Sequence, residues 1–566
     1  MSGPVKVDVL VVGSGAAGLS AAVTAAMHGA SVMVAEKASV LGGTSAWSGG
    51  WLWIPRNPLA RAEGIDEVAD APLTYLQHEM GGEAADIRLQ TFLRYGPEMV
   101  EFFHQRTAVQ FLSGSAMPDF HPSPGAANGG RSVTAQPYDG RLLGDWLHRL
   151  RPPLETISLG GMGIAGGADM AHFFNATRSP RSALYAARRL LRHGWQRLRA
   201  GRGQHLVNGN ALVARLLRSA LDAGVRFQLN APVVRLLQGP PGVSGAVLRS
   251  DGGEIHVEAG AVVLACGGFP HDRQRLAQVV PHAAEGYGHF SAAPPDNQGE
   301  GIRLGESVGG QFDTSLRHPL AWAPVSRVTL ASGQQLMFPH LVERAKPGVI
   351  AVLPNGKRFV NEADSYHDFI AALLAATPAG DTPQAWLLAD RRALRRYGLG
   401  HARPFPFTPT AWLRTGYLQR GNTLAELAKQ CAIDANALAE TVERFNHFAS
   451  AGEDVDFHRG ASAYNRAQGD HQVTLGPLRE GPFYAVRILP GSLGTFSGLQ
   501  TDEHARVLDE QQQPIPGLYA IGNDMSSVMR GYYPSGGITL GPAMTFGYLV
   551  GKNLAKKKTN TNNNIA

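Results

Sequence analysis

The stretch VDVLVVGSGAAGLSAAVTAAMHGASVMVAEK, residues 7–37, combines an apolar strand, a glycine turn, a helix of small residues and a second apolar strand. Gly13, Gly15 and Gly18 form a Gly-x-Gly-x-x-Gly motif between the first strand and the helix. Glycines there let the backbone approach a pyrophosphate at the helix N-terminus, and Glu36, about twenty residues further on, can accept a hydrogen bond from a ribose hydroxyl. The stretch therefore predicts an α/β fold with a Rossmann-type dinucleotide-binding domain.

The segment that follows, KASVLGGTSAWSGG at residues 37–50, extends this cradle with more glycines and hydroxyl groups. A nicotinamide dinucleotide held by one strand–helix–strand unit does not need the extension, whereas the longer FAD does. We therefore predict FAD as the cofactor. Its expected contacts in this region are Gly13, Gly15, Ala16, Ala17, Gly18, Glu36, Lys37, Gly42, Gly43, Thr44, Ser45, Ser48, Gly49 and Gly50. No attachment pattern for a covalent flavin occurs near the cradle, so binding is expected to be non-covalent.

A second Gly-x-Gly-x-x-Gly pattern is formed by Gly161, Gly163 and Gly166. It follows RPPLETIS, residues 151–158, which is not a buried strand, and no strand ending in an acid follows it. Because the motif binds phosphate only between a strand and a helix, we interpret this second pattern as a flexible loop.

The composition excludes several classes of protein. The 566 residues are enough for two or more domains, and 52 basic against 46 acidic residues give a net charge of only +6, too mild for a dedicated nucleic-acid binder. The two cysteines, Cys266 and Cys431, cannot form a disulfide framework. The 20 histidines show no ligand spacing, so we predict no metal.

The two ends of the chain lead to two expectations. The apolar stretch near the start has no basic region ahead of it, so a cytoplasmic location is expected. Residues 556–566, KKKTNTNNNIA, are polar and predict a flexible tail.

Residues 178–202 contain eight arginines and no acidic residue. Helical spacing places Leu184, Ala187, Leu191, Trp195 and Leu198 on one stripe. This pattern favours a solvated surface helix. Peripheral association with an anionic membrane is the first alternative, and nucleic-acid binding is the second.

Several later segments, together with the cradle, resemble the flavoprotein family that contains fumarate reductases and 3-ketosteroid dehydrogenases. They are residues 208–237, AVVLACGGFP at 261–270, DNQGEGIRLGESVGG at 296–310, which has Glu300 where the family has Asp, and GLYAIGND at 517–524. The resemblance implies that Val233 meets the adenine. It also implies flavin contacts from Gly267, Gly268, Gly522, Asn523 and Leu540.

The same resemblance implies a discontinuous FAD-binding domain with an inserted α+β cap, or catalytic, domain. The FAD-binding domain would comprise residues 1–318 and 491–566, and the cap domain residues 319–490. In this arrangement the cap closes over the substrate.

The segment GKRFVNEADSYHDF, residues 356–369, resembles the Phe-x-Asn-Glu-x-x-x-Arg pattern that carries the catalytic arginine of fumarate reductases. Here Tyr366 stands in the arginine position, and Gly494 stands where the family has a substrate-binding histidine. A dianion site without its cations does not hold a dianion. Succinate and fumarate are therefore not the expected substrates.

The remaining pattern is similar to that of 3-ketosteroid 1-dehydrogenases. The resemblance implies that Tyr366 takes a proton from the carbon α to a ketone, and that Tyr533 and the Gly537 N–H hold the ketone oxygen. In the steroid enzymes a second tyrosine supports the base; its counterpart here is Phe120, with Tyr138 as a substitute. The substrate is then a steroid or another cyclic ketone, and a separate electron acceptor, whose nature the sequence leaves open, reoxidises the flavin.

Alternatives remain at this stage. A smaller cyclic ketone such as an oxocyclohexane carboxylate suits the replacement of a tyrosine by Phe120. Reduction of an activated alkene in the same fold is the next alternative. The third is a binding protein in which the flavin is only structural.

Overall fold

The computed structural model describes residues 4–330 and 332–563, with side chains up to residue 555. Its last helix continues to Asn563. The whole of the predicted flexible tail, residues 556–566, therefore lies outside the part whose side chains are described.

The described strands form two large sheets and two small ones. Their bounds are β1 Val5–Val12, β2 Val32–Ala35, β3 Trp51–Trp53, β4 Phe111–Ser113, β5 Ser132–Ala135, β6 Tyr138–Asp139, β7 His205–Leu206, β8 Arg226–Gln228, β9 Val233–Gly239, β10 Gly242–Ser250, β11 Gly253–Leu264, β12 Phe290–Ser291, β13 Leu320–Thr329, β14 Gln335–Pro339, β15 Val349–Val352, β16 Ala385–Ala389, β17 Leu418–Gly421, β18 Phe483–Thr495, β19 Arg506–Leu508 and β20 Pro514–Ala520.

The helices surround these sheets. They are α1 Ala16–Met27, α2 Pro58–Ala62, α3 Ala71–Met80, α4 Ile87–Arg106, α5 Ala168–Phe174, α6 Pro180–Ala200, α7 Asn208–Asp222, α8 Arg273–Val279, α9 Pro281–Ala284, α10 Glu300–Glu306, α11 Tyr366–Ala376, α12 Arg391–Tyr397, α13 Thr410–Arg414, α14 Leu424–Cys431, α15 Ala435–Ala451, α16 Ala463–Gln468 and α17 Leu540–Asn563. Short 3₁₀ helices lie at Gly43–Trp47, Gly81–Ala85, Gly140–Arg149, Glu155–Ile157, Glu343–Ala345 and Gly522–Asp524.

The first sheet has the strand order β19-β20-β11-β1-β2-β8, with β10 and β9 continuing from β11. The strands β20, β11, β1, β2 and β8 run parallel to one another. In this register Val12 is level with Ala35 on β2 and Leu264 on β11. The carboxyl ends of these strands therefore meet at one edge, where open α/β sheets bind ligands. The predicted Rossmann-type strand–helix–strand unit is confirmed as β1, α1 and β2.

The second sheet has the order β14-β13-β18-β16-β15, and β12 and β17 also pair with β18. Most of its strands are antiparallel, and α11 packs against β13. The long strand β18 crosses the predicted domain boundary between residues 490 and 491. A mixed α/β architecture with a separate antiparallel sheet is thus present, while the division at 318 and 490 stays a prediction.

The second glycine pattern, Gly161 to Gly166, lies in turns that precede α5, with only an isolated bridge between Leu159 and Met162. Among the described residues, no strand of the parallel sheet leads directly into this segment, so it does not form a second dinucleotide unit. Within residues 4–330 and 332–563, no helix is both long and apolar enough to cross a membrane. Over the same ranges, no group of three or more His, Cys, Asp or Glu side chains could hold a metal ion.

Candidate active site

One cavity of about 1170 Å³ connects the glycine cradle with the predicted catalytic tyrosines. At the cradle end it is lined by the turn between β1 and α1 and by the segment after β2. At the other end it is lined by Tyr366, Tyr533, Gly537 and Phe120. The fold therefore brings the predicted cofactor residues and the predicted ketone-binding residues to a single space.

The cradle presents the N-terminus of α1 to this cavity. Gly13 has φ of 106°, a left-handed conformation that suits glycine, and an added Cβ would lie 2.2 Å from the carbonyl oxygen of Ala265. The Ala16 N–H donates to Ser45 Oγ at 3.0 Å, and no side chain of the N-cap residue, Gly15, covers the helix end. Since a helix N-terminus favours negative charge, this end of the cavity suits a pyrophosphate.

Glu36 lies at the end of β2 and lines the same cavity. One of its carboxylate oxygens accepts from the Ser14 hydroxyl at 2.6 Å, and the other accepts from the Ala38 N–H at 2.9 Å. A carboxylate has about four acceptor positions, so lone pairs remain for a ribose hydroxyl. The chain's own groups thus orient Glu36 for the predicted contact, and the cradle as a whole fits FAD.

Most of the predicted cofactor residues line the cavity. These are Gly13, Gly15, Ala16, Ala17, Glu36, Lys37, Gly43, Thr44, Ser45, Ser48, Gly49, Gly50, Val233, Gly267, Gly522, Asn523 and Leu540. Gly18, Gly42 and Gly268 are not among the lining residues. Each of these three shapes the backbone around the cradle.

The three remaining glycines act through packing. An added Cβ on Gly18 would lie 2.1 Å from the Gly13 carbonyl oxygen, so Gly18 lets α1 approach β1. The Gly42 N–H donates to Ser14 Oγ at 3.0 Å. An added Cβ on Gly268 would lie 2.0 Å from Thr495 Oγ1. The contacts seen at these three glycines are with the protein around the cradle, and their contact with the cofactor stays a prediction.

Asp524 is a supporting residue that the sequence did not reveal. Its buried carboxylate accepts from the Cys266 N–H at 2.6 Å and from the Gly268 N–H at 3.0 Å. Burial raises the pKa of Asp524 to about 6, although the two backbone hydrogen bonds act in the opposite direction and lower it. The carboxylate fixes the loop after β11, where Gly267 lines the cavity.

Cys266, which directly precedes the predicted flavin contacts Gly267 and Gly268, also lines the cavity. Burial raises the pKa of its thiol well above the usual value, as do the nearby Asp524 and Glu300 charges. Its Sγ donates to the Val12 carbonyl oxygen at 3.6 Å. The reactive form of a cysteine is the thiolate, which this environment disfavours.

The central feature of the other end is a pair of tyrosines. Tyr366 is the first residue of α11, and Tyr533 lies in the turn that precedes α17. Their hydroxyl oxygens are 2.7 Å apart, with Tyr366 as the donor. Phe120 stacks on the Tyr533 ring at 5.7 Å and meets the Tyr366 ring edge-on at the same centroid distance. The predicted base and the predicted ketone clamp therefore touch each other directly.

The turn that carries Tyr533 is held from several sides. The Pro534 carbonyl oxygen accepts from the Tyr75 hydroxyl at 2.6 Å and from the Phe120 N–H at 3.0 Å. The Gly537 carbonyl oxygen accepts from the Trp53 N–H at 3.1 Å. Gly537 has φ of 103°, and an added Cβ would lie 2.6 Å from the Trp53 nitrogen. Only glycine fits this position without a shift of the backbone.

The N–H of Gly537 has no acceptor within the described part of the chain. It lies four residues after Tyr533, and both residues line the cavity. A hydroxyl and an unpaired backbone N–H that line the same cavity are the donors from which an oxyanion hole is built.

Both tyrosines are harder to ionise than a free tyrosine. Burial raises the pKa of Tyr366 well above its usual value, and the charge and hydrogen bond of Tyr533 raise it further. Burial also raises the pKa of Tyr533, to about 12, while the hydrogen bond from Tyr366 lowers it. Two groups that interact this strongly titrate as a unit, so the first proton is lost by the pair rather than by one residue.

Of the two candidates for the supporting second tyrosine, only Phe120 lies beside Tyr366. Tyr138 is on β6, with Arg215 over its ring at 5.1 Å, and is not among the residues that line the cavity. The structure instead brings in Tyr464 of α16, whose ring is 4.4 Å from that of Phe120. Tyr464 lines the cavity and its pKa is also raised, chiefly by burial. No motif surrounds Tyr464, so the sequence offered no signal for it.

The position of the family's substrate-binding histidine is filled by Gly494, which lines the cavity. An added Cβ there would lie 2.6 Å from the Asn523 side-chain nitrogen. A larger residue would therefore have to displace Asn523, and Gly494 itself supplies no cation for a dicarboxylate.

Comparison with known proteins agrees with this geometry. A family model described as an FAD binding domain matches residues 8–540. The chain is 40% identical over 558 residues to the 4-oxocyclohex-2-ene-1-carboxylate 5-dehydrogenase of Sinomonas cyclohexanicum, covering 97% of this chain and 94% of that protein. It is 36% identical over 568 residues to the 3-oxosteroid 1-dehydrogenase of Mycolicibacterium smegmatis, covering 97% of each.

A solved structure is also similar over nearly the whole length. It is the crystal structure of 3-ketosteroid Δ1-dehydrogenase from Sterolibacterium denitrificans in complex with 1,4-androstadiene-3,17-dione. The TM-score is 0.88 at 36% identity, and the match covers 98% of this chain and 100% of that chain.

The parallel sheet, its glycine cradle and the adjoining tyrosine pair define an FAD-dependent oxidoreductase that acts on CH–CH groups. Within that class, the chain belongs to the FAD-binding family of fumarate reductase and succinate dehydrogenase flavoproteins, as a 3-ketosteroid 1-dehydrogenase-like member. The predicted cofactor, FAD, and the predicted class of enzyme are confirmed.

Proposed function

We propose that this protein introduces a carbon–carbon double bond α,β to a ring ketone. The observation that carries the proposal is the 2.7 Å hydrogen bond between Tyr366 and Tyr533, in the cavity that also holds the FAD cradle. The unpaired Gly537 N–H supplies a second donor for the ketone oxygen. The family supplies the type of reaction, and these three residues supply the chemistry at the ketone.

The three residues have two different roles toward the substrate, ketone binding and proton removal. Tyr533 and Gly537 donate hydrogen bonds to the ketone oxygen, which gains negative charge as the α carbon loses its proton. Tyr366 accepts that proton on its hydroxyl oxygen. Bound FAD supplies the acceptor for the hydride that leaves the β carbon, and an external electron acceptor later removes these electrons. The remaining carbon–carbon pair then carries the new double bond.

A tyrosine hydroxyl is a weak base when it is protonated and becomes a stronger base only when it is ionised. When this pair loses one proton, the two oxygens share a single negative charge, because the hydroxyl of one ring donates to the oxygen of the other. When the Tyr533 hydroxyl donates its hydrogen bond to a ketone oxygen instead, the negative charge stays on the Tyr366 oxygen. Tyr366 lines the same cavity. We therefore propose Tyr366 as the base and Tyr533 as the ketone-binding donor.

Anaerobic mixing of the FAD-loaded enzyme with saturated ring ketones tests the proposed direction. A 3-ketosteroid and 4-oxocyclohexanecarboxylate should be compared with the corresponding ring alcohols, which cannot acidify an α proton. The ketones should bleach the flavin absorbance and the alcohols should not. Fumarate should fail to reoxidise the reduced enzyme.

The same experiment separates the alternatives. If an enone reoxidised the flavin while no saturated ketone reduced it, the enzyme would be an alkene reductase. Efficient turnover of fumarate would contradict the assignment of Tyr366 and Gly494 to the positions of the missing cations. A flavin that responds to none of these compounds would favour the structural role of FAD.

A ring ketone that bears a carboxylate is the second candidate substrate, and Lys346 favours it. Lys346 lines the cavity and is only 7% exposed. Its Nζ donates to the carbonyl oxygens of Gln468 and Gly469 at 2.6 and 2.7 Å, and it forms no ion pair within the described residues. Its Nζ also lies 5.9 Å from the centre of the Phe174 ring. A buried cation whose hydrogen bonds go to carbonyl oxygens can still gain an anionic partner.

Lys346 is connected to the tyrosine cluster through α16, because its hydrogen-bond partner Gln468 lies on the same helix as Tyr464. Gln468 lies one helical turn beyond Tyr464 on α16, and Tyr464 packs on Phe120. Burial lowers the pKa of Lys346 to about 8, so most of it is charged near neutral pH. The 4-oxocyclohex-2-ene-1-carboxylate 5-dehydrogenase among the relatives is consistent with such a substrate.

Paired substrates test this second candidate. The ratio of kcat/KM for 4-oxocyclohexanecarboxylate to that for its uncharged methyl ester should fall by about tenfold or more in Lys346→Met. The matched control is Lys357→Met, an exposed lysine outside the cavity, which should leave the ratio unchanged. An unchanged ratio in Lys346→Met would favour an uncharged ring ketone, such as a steroid. The ketone-bleaching test is independent of this result.

We also propose the domain division into residues 1–318 with 491–566, and 319–490. The antiparallel sheet and α11 supply one wall of the cavity, and the parallel sheet supplies the other. This arrangement suits a cap that closes over the substrate. Peripheral membrane association of residues 178–202, the first alternative to a solvated surface helix, does not follow from the family and depends on the surface of α6.

A further inference from the structure

The helix α6 exposes an apolar stripe on the side that faces away from the protein. Leu184, Leu191, Trp195 and Leu198 are 71%, 75%, 58% and 86% exposed. At 100° per residue these side chains share one side of the helix. Four large apolar residues in one exposed row on a single helix form a patch of the kind that marks an interaction surface.

The opposite side of α6 is buried and largely polar. Ser182, His193 and Gln196 are buried there, together with Ala186. The His193 ring nitrogen bonds the Gly160 carbonyl oxygen at 3.0 Å, and the Gln196 side chain accepts from a backbone N–H at 2.9 Å. An ordinary surface helix buries its apolar face and exposes its polar face. In α6 this order is reversed, so the predicted stripe is not explained by packing within the protein.

The charge beside the stripe is positive. Residues 178–202 contain eight arginines and no acidic residue. Arg181, Arg188, Arg192 and Arg199 are exposed in the helix sector that adjoins the stripe, and the Arg199 guanidinium lies 4.8 Å from the Trp195 ring centre. Apolar side chains flanked by arginines match a surface that is apolar beneath an anionic layer.

The mouth of the cavity lies beside the same helix. Ala186 and Leu190 of α6 line the cavity. Phe405 and Phe407 also line it and are 47% and 50% exposed. Because exposed apolar residues of the cavity lining include Leu190 of α6, the cavity reaches the protein surface beside this helix.

We propose that α6 docks the protein on an anionic lipid surface. Leu184, Leu191, Trp195 and Leu198 enter the boundary between headgroups and acyl chains, and the neighbouring arginines contact the lipid phosphates. The helix lies in the plane of the interface and does not cross the bilayer. The entrance beside Leu190 then opens toward the lipid.

Flotation of the FAD-loaded full-length protein with lipid vesicles tests the proposal. The vesicles contain phosphatidylcholine either alone or mixed with phosphatidylglycerol. The protein should float with the anionic vesicles, and salt should weaken this binding. The variant with Leu191→Glu, Trp195→Glu and Leu198→Glu should bind the anionic vesicles at least about tenfold more weakly than the native protein. None of these residues lines the cavity, so FAD content and turnover of a water-soluble ketone should stay unchanged.

A matched variant changes exposed apolar residues elsewhere, with Val68→Glu, Leu142→Glu and Val455→Glu. It should keep full vesicle binding. Equal loss in both triple variants, or no vesicle binding by the native protein, would overturn the proposal. A stripe variant that changed the oligomeric state in light scattering while native vesicle binding was absent would assign the stripe to a second copy instead. Retention of the native protein on RNA but not on vesicles would also overturn it.

Discussion

The FAD cradle and the tyrosine cluster occupy the two ends of one cavity but are assembled in different ways. Much of the cradle comes from one continuous stretch, residues 13–50, in which glycines fix the backbone. The tyrosine cluster takes Phe120, Tyr366, Tyr464 and Tyr533 from four distant segments, and side-chain contacts hold it together. Cofactor binding is therefore a property of local backbone geometry, whereas the choice of substrate depends on long-range side-chain packing.

The largest expected effect lies in the tyrosine cluster. Tyr366→Phe removes the proposed proton acceptor and leaves the Tyr533 hydroxyl and the Gly537 N–H in place. The rate of anaerobic flavin reduction by a saturated ketone should fall by about 10²- to 10⁴-fold, with little change in ketone affinity. FAD content should stay native, because the cradle is untouched. A variant with a near-native rate would place the base elsewhere.

The Tyr533→Phe variant should have a smaller effect. It removes one donor to the ketone oxygen, while the Gly537 N–H remains. The rate should fall by about 10²- to 10³-fold, because the donor stabilises the transition state more than the ground-state ketone. Stopped-flow flavin reduction measures this loss. An effect confined to KM would show that Tyr533 contributes only to ground-state binding.

The rate of flavin reduction should also rise with pH. The pKa values of Tyr366 and Tyr533 are raised, the latter to about 12, so the fraction of the pair that has lost a proton is small near neutrality. This fraction grows about tenfold per pH unit below the pKa, and the rate at saturating ketone should follow it from about pH 7 to about pH 9. The slope should disappear in Tyr366→Phe. A flat profile in the native enzyme would contradict ionisation of the pair as the source of the base.

The cradle gives the smallest expected effect, and the two Gly-x-Gly-x-x-Gly patterns provide a matched pair. Gly18→Ala places a Cβ against the Gly13 carbonyl oxygen, whereas Gly166→Ala meets nothing within 4 Å. Gly18→Ala should lower stability by about 1–3 kcal/mol and weaken FAD retention, since the helix must move away from β1. Gly166→Ala should leave both unchanged. Thermal unfolding and flavin content after gel filtration measure the difference, and equal behaviour of the two variants would remove the distinction between the motifs.

The sequence predicted the cradle well because its contacts are local. Gly13, Gly15 and Glu36 follow spacings that a strand, a turn and a helix impose. Gly18 lies in α1 against the Gly13 carbonyl oxygen, and Gly42 lies against the side chains of Ala46 and Val213. Neither lines the cavity, a difference that depends on packing. The positions of Tyr366 and Tyr533 were accessible through family resemblance, although their direct contact was not.

The residues that sequence reasoning missed depend on contacts between distant segments. Tyr138 and Phe120 are near in sequence, yet only Phe120 reaches the tyrosines, while Tyr464 arrives from a helix with no motif. Helical spacing predicts the apolar stripe on α6 but not which side of the helix faces the protein. The orientation depends on contacts with other segments, such as the hydrogen bonds that His193 and Gln196 form with backbone groups. Periodicity gives the shape of a helix, and only tertiary packing gives its orientation.

The central claim is that Tyr366 and Tyr533 touch each other but have different roles. Exchange of α protons between a ring ketone and deuterated water, followed by mass spectrometry with the oxidised enzyme, tests this most directly. The ketone used should carry no hydrogen at the β carbon, so that hydride transfer is impossible and the exchange reports proton removal alone. Tyr366→Phe should abolish exchange, whereas Tyr533→Phe should only slow it, because the Gly537 N–H still stabilises the ketone oxygen. Equal exchange in Tyr366→Phe and in the native enzyme would contradict the separate roles of the two tyrosines.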